Sequence, residues 1–490
     1  MISRYRPRLF LYLLLTAALS TSALAAKPGD SPPTYDAPSM REDLAALYDG
    51  LRSAHVALFA HRSEAEYDAF YARLQSELDR DFSLFEAAVL FQRFAAYGNV
   101  AHARVEFPSD VYDAYRDSGG RSFPIYPRIV AGRSYVGDDL SGDSRIQPGD
   151  EILTLNGKPM SDWLDFASRH ISADTPYIAH SLLEFTFPRY LWLELGDVET
   201  FALTLRRDSK TIELKLRAST RESQQAAAAA APARFAIDTN AREFRLLDRR
   251  IAYLKPGPFY NAENPAAAWE NTSFIAFVDA AFEQLLASDA GSLIIDLRQN
   301  PGGDNSFSDV MLSWIATEPF RFFDAFIVRS SDEAAASNAR RMEATGADEN
   351  SVSALFARQY ETVPRGETFD FDLPYAQPRE GQRFEGKVYV LVNRHSYSNA
   401  VNVAAIIQDA GLGTVVGEKT SDMATTYGSM ETFALPNTDI SVGFPKAHII
   451  RPSGDRRTDG VTPDWVIPSP IVDDAADAVL AALLARLRAD

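Results

Sequence analysis

Two short apolar runs, Leu293-Ile-Ile-Asp-Leu297 and Val388-Tyr-Val-Leu-Val392, each break off abruptly into small and polar residues. A β-branched run without polar alternation is the signature of a parallel strand buried on both faces. Tyr253-Leu-Lys255 reads as an earlier strand, and Phe274 to Leu286 as an amphipathic helix before Leu293. Strand, helix, strand in that order demands a parallel sheet with helical crossovers. The first strand ends in Pro301-Gly302-Gly303, whose missing side chains leave backbone N–H groups open to a ligand. The second delivers Ser398 directly before a helical pattern running from Asn399 to about Asp409. A hydroxyl at a helix N-terminus, opposite a glycine turn, has the parts of a nucleophile and its oxyanion hole. The competing assignment is an N-cap serine that only satisfies backbone N–H groups.

The chain has 490 residues, 46% hydrophobic and 24% charged, which leaves room for several domains and a large core. Its start is compositionally distinct. Arg4, Arg6 and Arg8 precede an apolar run from Leu9 to Ala18, and Ala23-Leu-Ala25 offers a small-residue cleavage site. This predicts a signal peptide over 1–26; the run is too short, and too interrupted by Thr and Ser, for a membrane anchor. Its removal takes away three arginines and no acid, moving the formal charge from −18 to −21. So acidic a surface argues against nucleic acid or anionic membrane as a partner. There is no cysteine, which excludes disulfides, a thiol nucleophile and thiolate metal sites. The expected compartment is the periplasm, with secretion as the alternative.

The pattern divides the chain as follows. A Pro-rich spacer covers 27–39, and 40–110 reads as a helical domain. Ser63-x-x-Glu66 and Ser83-x-x-Glu86 are capping boxes opening its second and third helices, with Gly98 as the stop. Strand-like patterns fill 115–220, with an aromatic-rich insertion at 173–198. An alanine-rich linker occupies 221–240 and reads as a short solvated helix or a tether. The α/β domain extends over 241–490, with a polar insertion at 331–386 that serves as a substrate lid or as surface decoration.

Further motifs follow the two loops in order: Gly417-Glu-Lys-Thr420, Tyr427-Gly428, Phe433-Ala-Leu-Pro-Asn437 and Gly460-Val-Thr-Pro-Asp464. With Asp296-Leu-Arg-Gln-Asn-Pro-Gly-Gly303 and Ser398, this ordered set resembles the tail-specific (C-terminal-processing) and tricorn-core serine protease family. Ile146-Gln-Pro-Gly-Asp-Glu-Ile-Leu-Thr-Leu-Asn-Gly-Lys-Pro159 is similar to the core of a PDZ domain. The resemblance implies an α/β multidomain protein: an N-terminal helical domain, a PDZ-like domain and a βαβ-containing, ClpP/crotonase-like catalytic domain. It implies Ser398 as nucleophile, with oxyanion donors from Asn399 and from Gly302 or Gly303. It implies no cofactor, and a protein or peptide as substrate.

Where tail-specific members carry a lysine, twenty-five residues after the serine, this chain has Met423. The tricorn-like branch instead draws a histidine from an earlier domain, and Gly98-Asn-Val-Ala-His-Ala-Arg104 looks like that turn, making His102 the expected base. Lys419 and His395 are competitors. The imidazole's orienting acid falls to Asp455 or Asp459, with Asp459 preferred. No metal site is evident, since His55 and His61 do not share a helix face. The same fold also resembles non-catalytic relatives that carry retinoids and fatty acids, so a binding scaffold is the rival expectation.

Overall fold

A computed structural model describes residues 33–489, except 233, 346–348, 350 and 473–474. The expected signal peptide and the first part of the spacer lie outside the described residues. Helices α1 (Ala37–Ala54), α2 (Glu64–Glu77) and α3 (Leu84–Ala96) come first, and both expected capping boxes are formed. The chain leaves α3 just before Gly98, the expected stop, and turns through Asn99 in the left-handed conformation (φ 52°). Gly98 is required for space, because a Cβ there would strike the Tyr67 hydroxyl.

After α4 (Ser109–Asp117), a middle module follows: β1 (Ile125–Val130), β2 (Arg133–Asp139), β3 (Glu151–Leu155), α5 (Met160–Ser168), α6 (Pro176–Leu195), β4 (Thr200–Arg207) and β5 (Lys210–Arg217). Its antiparallel sheet runs β1-β2-β3-β4-β5, so β1 is an edge strand. The aromatic-rich segment 173–198 is mostly the helix α6, opened by Thr175 as N-cap and Pro176 in its first turn. The alanine-rich stretch is helix α7 (Arg221–Ala230), and it is tied down: Arg116 donates to Gln224 Oε1 at 2.8 Å.

The third part contains β6 (Glu243–Leu246), β7 (Ile251–Lys255), α8 (Thr272–Leu286), β8 (Ser292–Asp296), α9 (Asn305–Ser313), β9 (Ala325–Arg329), α10 (Asp332–Thr345), α11 (Val352–Thr362), β10 (Thr368–Asp370), β11 (Lys387–Val392), α12 (Asn399–Asp409), β12 (Thr414–Gly417), β13 (Thr426–Ala434), β14 (Ser441–Ile450), β15 (Trp465–Val466) and α13 (Ala478–Ala489). One sheet runs β15-β12-β11-β8-β7-β6, parallel except at β6. Its inner strands are buried on both sides. Leu293, Ile295, Val390 and Val392 pack with α8, α9 and α12, while Ile294, Tyr389 and Leu391 pack with α13. The uninterrupted apolar runs follow from this double burial.

A second, antiparallel sheet runs β10-β9-β14-β13. The polar segment 331–386 supplies α10, α11 and β10 to this layer. Phe356, Tyr360 and Phe371 share one continuous apolar core with Leu44, Tyr67 and Phe94 of the N-terminal helices. The N-terminal helices thus bury their apolar stripe against the second sheet, not only against one another. No described helix is long and apolar enough to cross a membrane.

Candidate active site

The carboxyl ends of β8 and β11 deliver two loops that hold each other. Tyr397 N–H donates to Asn300 O at 3.0 Å, Gln299 N–H to Asn393 Oδ1 at 3.1 Å, and Ser396 Oγ to Leu297 O at 2.8 Å. Beneath them the Arg298 guanidinium is held by Asp296 and Asp477, all three buried or nearly so. Side chains of the loops are therefore consumed in fixing backbone, which leaves the following residue on a rigid support.

That residue is Ser398. It precedes α12 with φ 51° and ψ −124°, and its side chain makes no capping hydrogen bond. The N-cap assignment is thereby ruled out: the hydroxyl satisfies none of the helix's N–H groups. A non-glycine residue in this backbone region costs roughly 1–3 kcal/mol, a cost met only where neighbours over-determine it. Gly302 presses against the turn from the other loop. A Cβ on it would sit 2.7 Å from Asn399 N and 2.8 Å from Ser398 Cβ. The Gly302 N–H, however, donates to Asn300 Oδ1 at 2.9 Å, so it is turned away from donor duty. No hydrogen bond engages the N–H groups of Gly303 and Asn399 among the described residues.

His102 lies on the loop after α3, pinned from two sides. Ala101 N–H donates to Asp174 Oδ2 at 2.9 Å, Ser172 Oγ to Ala103 O at 2.6 Å, and Arg104 exchanges both backbone bonds with Gly443 of β14. The imidazole stacks on the Tyr397 ring, centroids 5.9 Å apart, beside the nucleophile loop. Burial, with Arg104 adding to it, pushes the imidazole down to about 4, against the opposing pull of Asp174 and the Tyr427 backbone. Its Nδ1 is buried and has no partner among the described residues. No hydrogen bond joins His102 to Ser398 among those residues.

The remaining candidates stand elsewhere. His395 points away from the serine, with Nε2 2.9 Å from Glu184 Oε2 of α6. Lys419 and Asp459 are 39% and 61% exposed and pair with each other, Nζ to Oδ1 at 2.5 Å. Asp459 also caps Gly460 N–H, and no contact brings it to His102 among the described residues. Asp455 is bound to Arg457. Met423, at the lysine position, is buried and bridged to Gly460.

Two acids absent from the sequence reading occupy the centre. Asp174, on the segment before α6, is buried beside His102 and holds its turn through Ala101. Asp422 is fully buried and accepts the Ser398 N–H on Oδ2 at 2.6 Å. Seventy-two positions separate Asp174 from His102, and no periodicity links them. Asp422 had one available signal, its place directly before the position where a lysine was sought.

A cavity of about 890 Å³ opens between the three parts of the chain, lined on the site's side by Ala101, Arg104, Gln299, Asn393 and Tyr397.

Residues 267–467 match the model of Peptidase family S41, which bears out the resemblance read from the ordered motifs. Among solved structures, that of mature CPAF superposes with a TM-score of 0.59 at 16% identity, covering 89% of this chain and 93% of that one. Mature CPAF complexed with lactacystin gives 0.58 at 16% identity, over 92% and 98%. At that identity the likeness establishes the fold. No curated protein sequence matches the chain.

Proposed function

We propose, from the match of residues 267–467 to Peptidase family S41, that the protein is an exported serine-type peptidase that hydrolyses peptide bonds through an acyl-enzyme on Ser398. The observation that carries this is the Ser398 turn: a strained backbone and a hydroxyl free of capping duty, closed by Gly302, beside a pinned imidazole.

In the proposed reaction, Ser398 Oγ attacks the scissile carbonyl carbon as its proton passes to His102. The carbonyl oxygen becomes an oxyanion received by the N–H groups of Gly303 and Asn399. Each such donor is typically worth about 10²–10³ in rate. The C–N bond then breaks, His102 returns the proton to the leaving amine, and water repeats the sequence on the ester. Asp174, not Asp459, is the acid placed to favour the imidazolium, because it flanks His102 while Asp459 is paired with Lys419. The proton transfer requires the His102 imidazole and the Ser398 hydroxyl to come within about 3 Å of each other when substrate binds. The acidic, cysteine-free composition and the signal peptide expected over 1–26 support the periplasm as the compartment. The middle module is read as PDZ-like, with α6 lying along edge strand β1.

Cleavage of an unfolded polypeptide, followed as release of free amines, tests the reading. Ser398→Ala abolishes it; turnover surviving that change refutes the assignment. A second reading, a binding scaffold, is favoured by one observation: no hydrogen bond joins His102 to Ser398 among the described residues, and the imidazole Nδ1 is buried without a partner there. Tight binding of an apolar ligand without any hydrolysis would select it.

A further inference from the structure

Asp422 lies between β12 and β13 and is shielded from solvent. Its Oδ2 takes the Ser398 N–H, and the Met423 backbone N–H bonds the same carboxyl. Oδ1 is buried without a partner among the described residues. The acid and Gly302 therefore grip opposite sides of one strained turn, the acid by its N–H and the glycine by contact with Cβ. Three other segments present charged or titratable groups to Asp422: Asp174 from before α6, Arg104 from after α3, and Tyr397 from the serine's own loop. His102 adjoins Asp174 and Arg104.

We propose that Asp422 is a positioning residue for the nucleophile, whose carboxylate clamps the Ser398 N–H and so fixes the turn that aims Oγ. The inference rests on reading Ser398 as the nucleophile. An ionised carboxylate accepts an N–H bond about twice as strongly as a neutral acceptor. It also adds negative charge near the imidazolium that forms on His102. Burial, reinforced by Asp174 and opposed by the two N–H bonds and Arg104, pushes the carboxyl up to about 7. The clamp tightens as the pH rises through neutrality. Burial and Arg104 push the His102 imidazole the opposite way, and because His102 and Asp422 share Asp174 and Arg104 as neighbours, the D422N profile is what separates the two transitions.

The experiment is the rate of fluorophosphonate labelling of Ser398 between pH 5.5 and 9, for the wild type and Asp422→Asn, with thermal midpoints measured alongside. The asparagine oxygen still accepts the N–H but never ionises. The wild type is expected to label faster through an inflection near pH 7. D422N stays folded, lacks that inflection and labels roughly tenfold more slowly at pH 8. A D422N profile identical to the wild type overturns the role of Asp422 while leaving Ser398 as nucleophile. Should D422N fail to fold, the wild-type profile decides, since no inflection between pH 6 and 8 overturns the proposal. A wild type that takes no label at all overturns the catalytic reading itself, and this role with it.

Discussion

At Ser398 the hydroxyl caps nothing, and the backbone carries the strain of a left-handed turn that Gly302 and Asp422 close from two sides. Gly302 is at φ 86° with Ser398 Cβ in its path, so Gly302→Ala is expected to lower kcat by at least about tenfold and to lower stability by more than 1 kcal/mol. Kinetics and urea unfolding check both. Lys419→Ala should behave in the opposite way, because its ion pair with Asp459 stands in solvent. Turnover should remain within about twofold and stability within about 0.5 kcal/mol; a large loss of turnover would restore the lysine as a base. Ser398 was singled out by strand-loop-helix order, the facing glycine loop and the ordered family motifs taken together. The acids were not, because Asp174 and Asp422 reach the site through chain crossings that leave no local pattern.

Among the elements, α6 does the most to join the parts. Its Glu184 accepts the Ile129 N–H of edge strand β1 at 2.8 Å, and Arg394 of the nucleophile loop donates to the Ile129 carbonyl at 2.5 Å. The same carboxylate receives Arg128 at 2.7 Å and Arg394 at 3.0 Å. The edge of β1 is thus satisfied from within, and a peptide strand adding there must displace both side chains. Burial pushes the Glu184 carboxyl up, but His395, Arg128 and Arg394 outweigh it and hold it at about 2, below its ordinary 4.5. A depressed acid stabilises the fold fully above its unfolded pKa and loses that contribution as the pH falls toward the folded one. Acid unfolding followed by intrinsic fluorescence should therefore steepen between about pH 4.5 and 2. Glu184→Gln should remove its part of that dependence and, by leaving Glu418 as the one carboxylate beside Arg394 and Arg128, cost about 1–2 kcal/mol at pH 7. From its aromatic content, 173–198 reads in the sequence as an insertion among strands. Thr175 and Pro176 at its start were the overlooked helix signal.

Across the whole molecule, the parallel sheet was readable because burial on both faces imposes continuous apolar runs. The capping boxes at Ser63 and Ser83 marked two helix starts for an equally local reason. The second sheet was not readable. Its partners come from the polar segment 331–386 and from the N-terminal helices, and the core they share is assembled from residues some 300 positions apart, such as Leu44 and Phe356. The same long-range assembly places His102 and Asp174 beside the loop of Ser398. The most direct test of that arrangement is mass-spectrometric mapping of a fluorophosphonate adduct on the wild type and on His102→Gln. The account predicts a single labelled peptide containing Ser398 in the wild type and labelling slowed by at least a hundredfold in H102Q. Adduct on another residue, or equal labelling of Ser398 in both proteins, would contradict it.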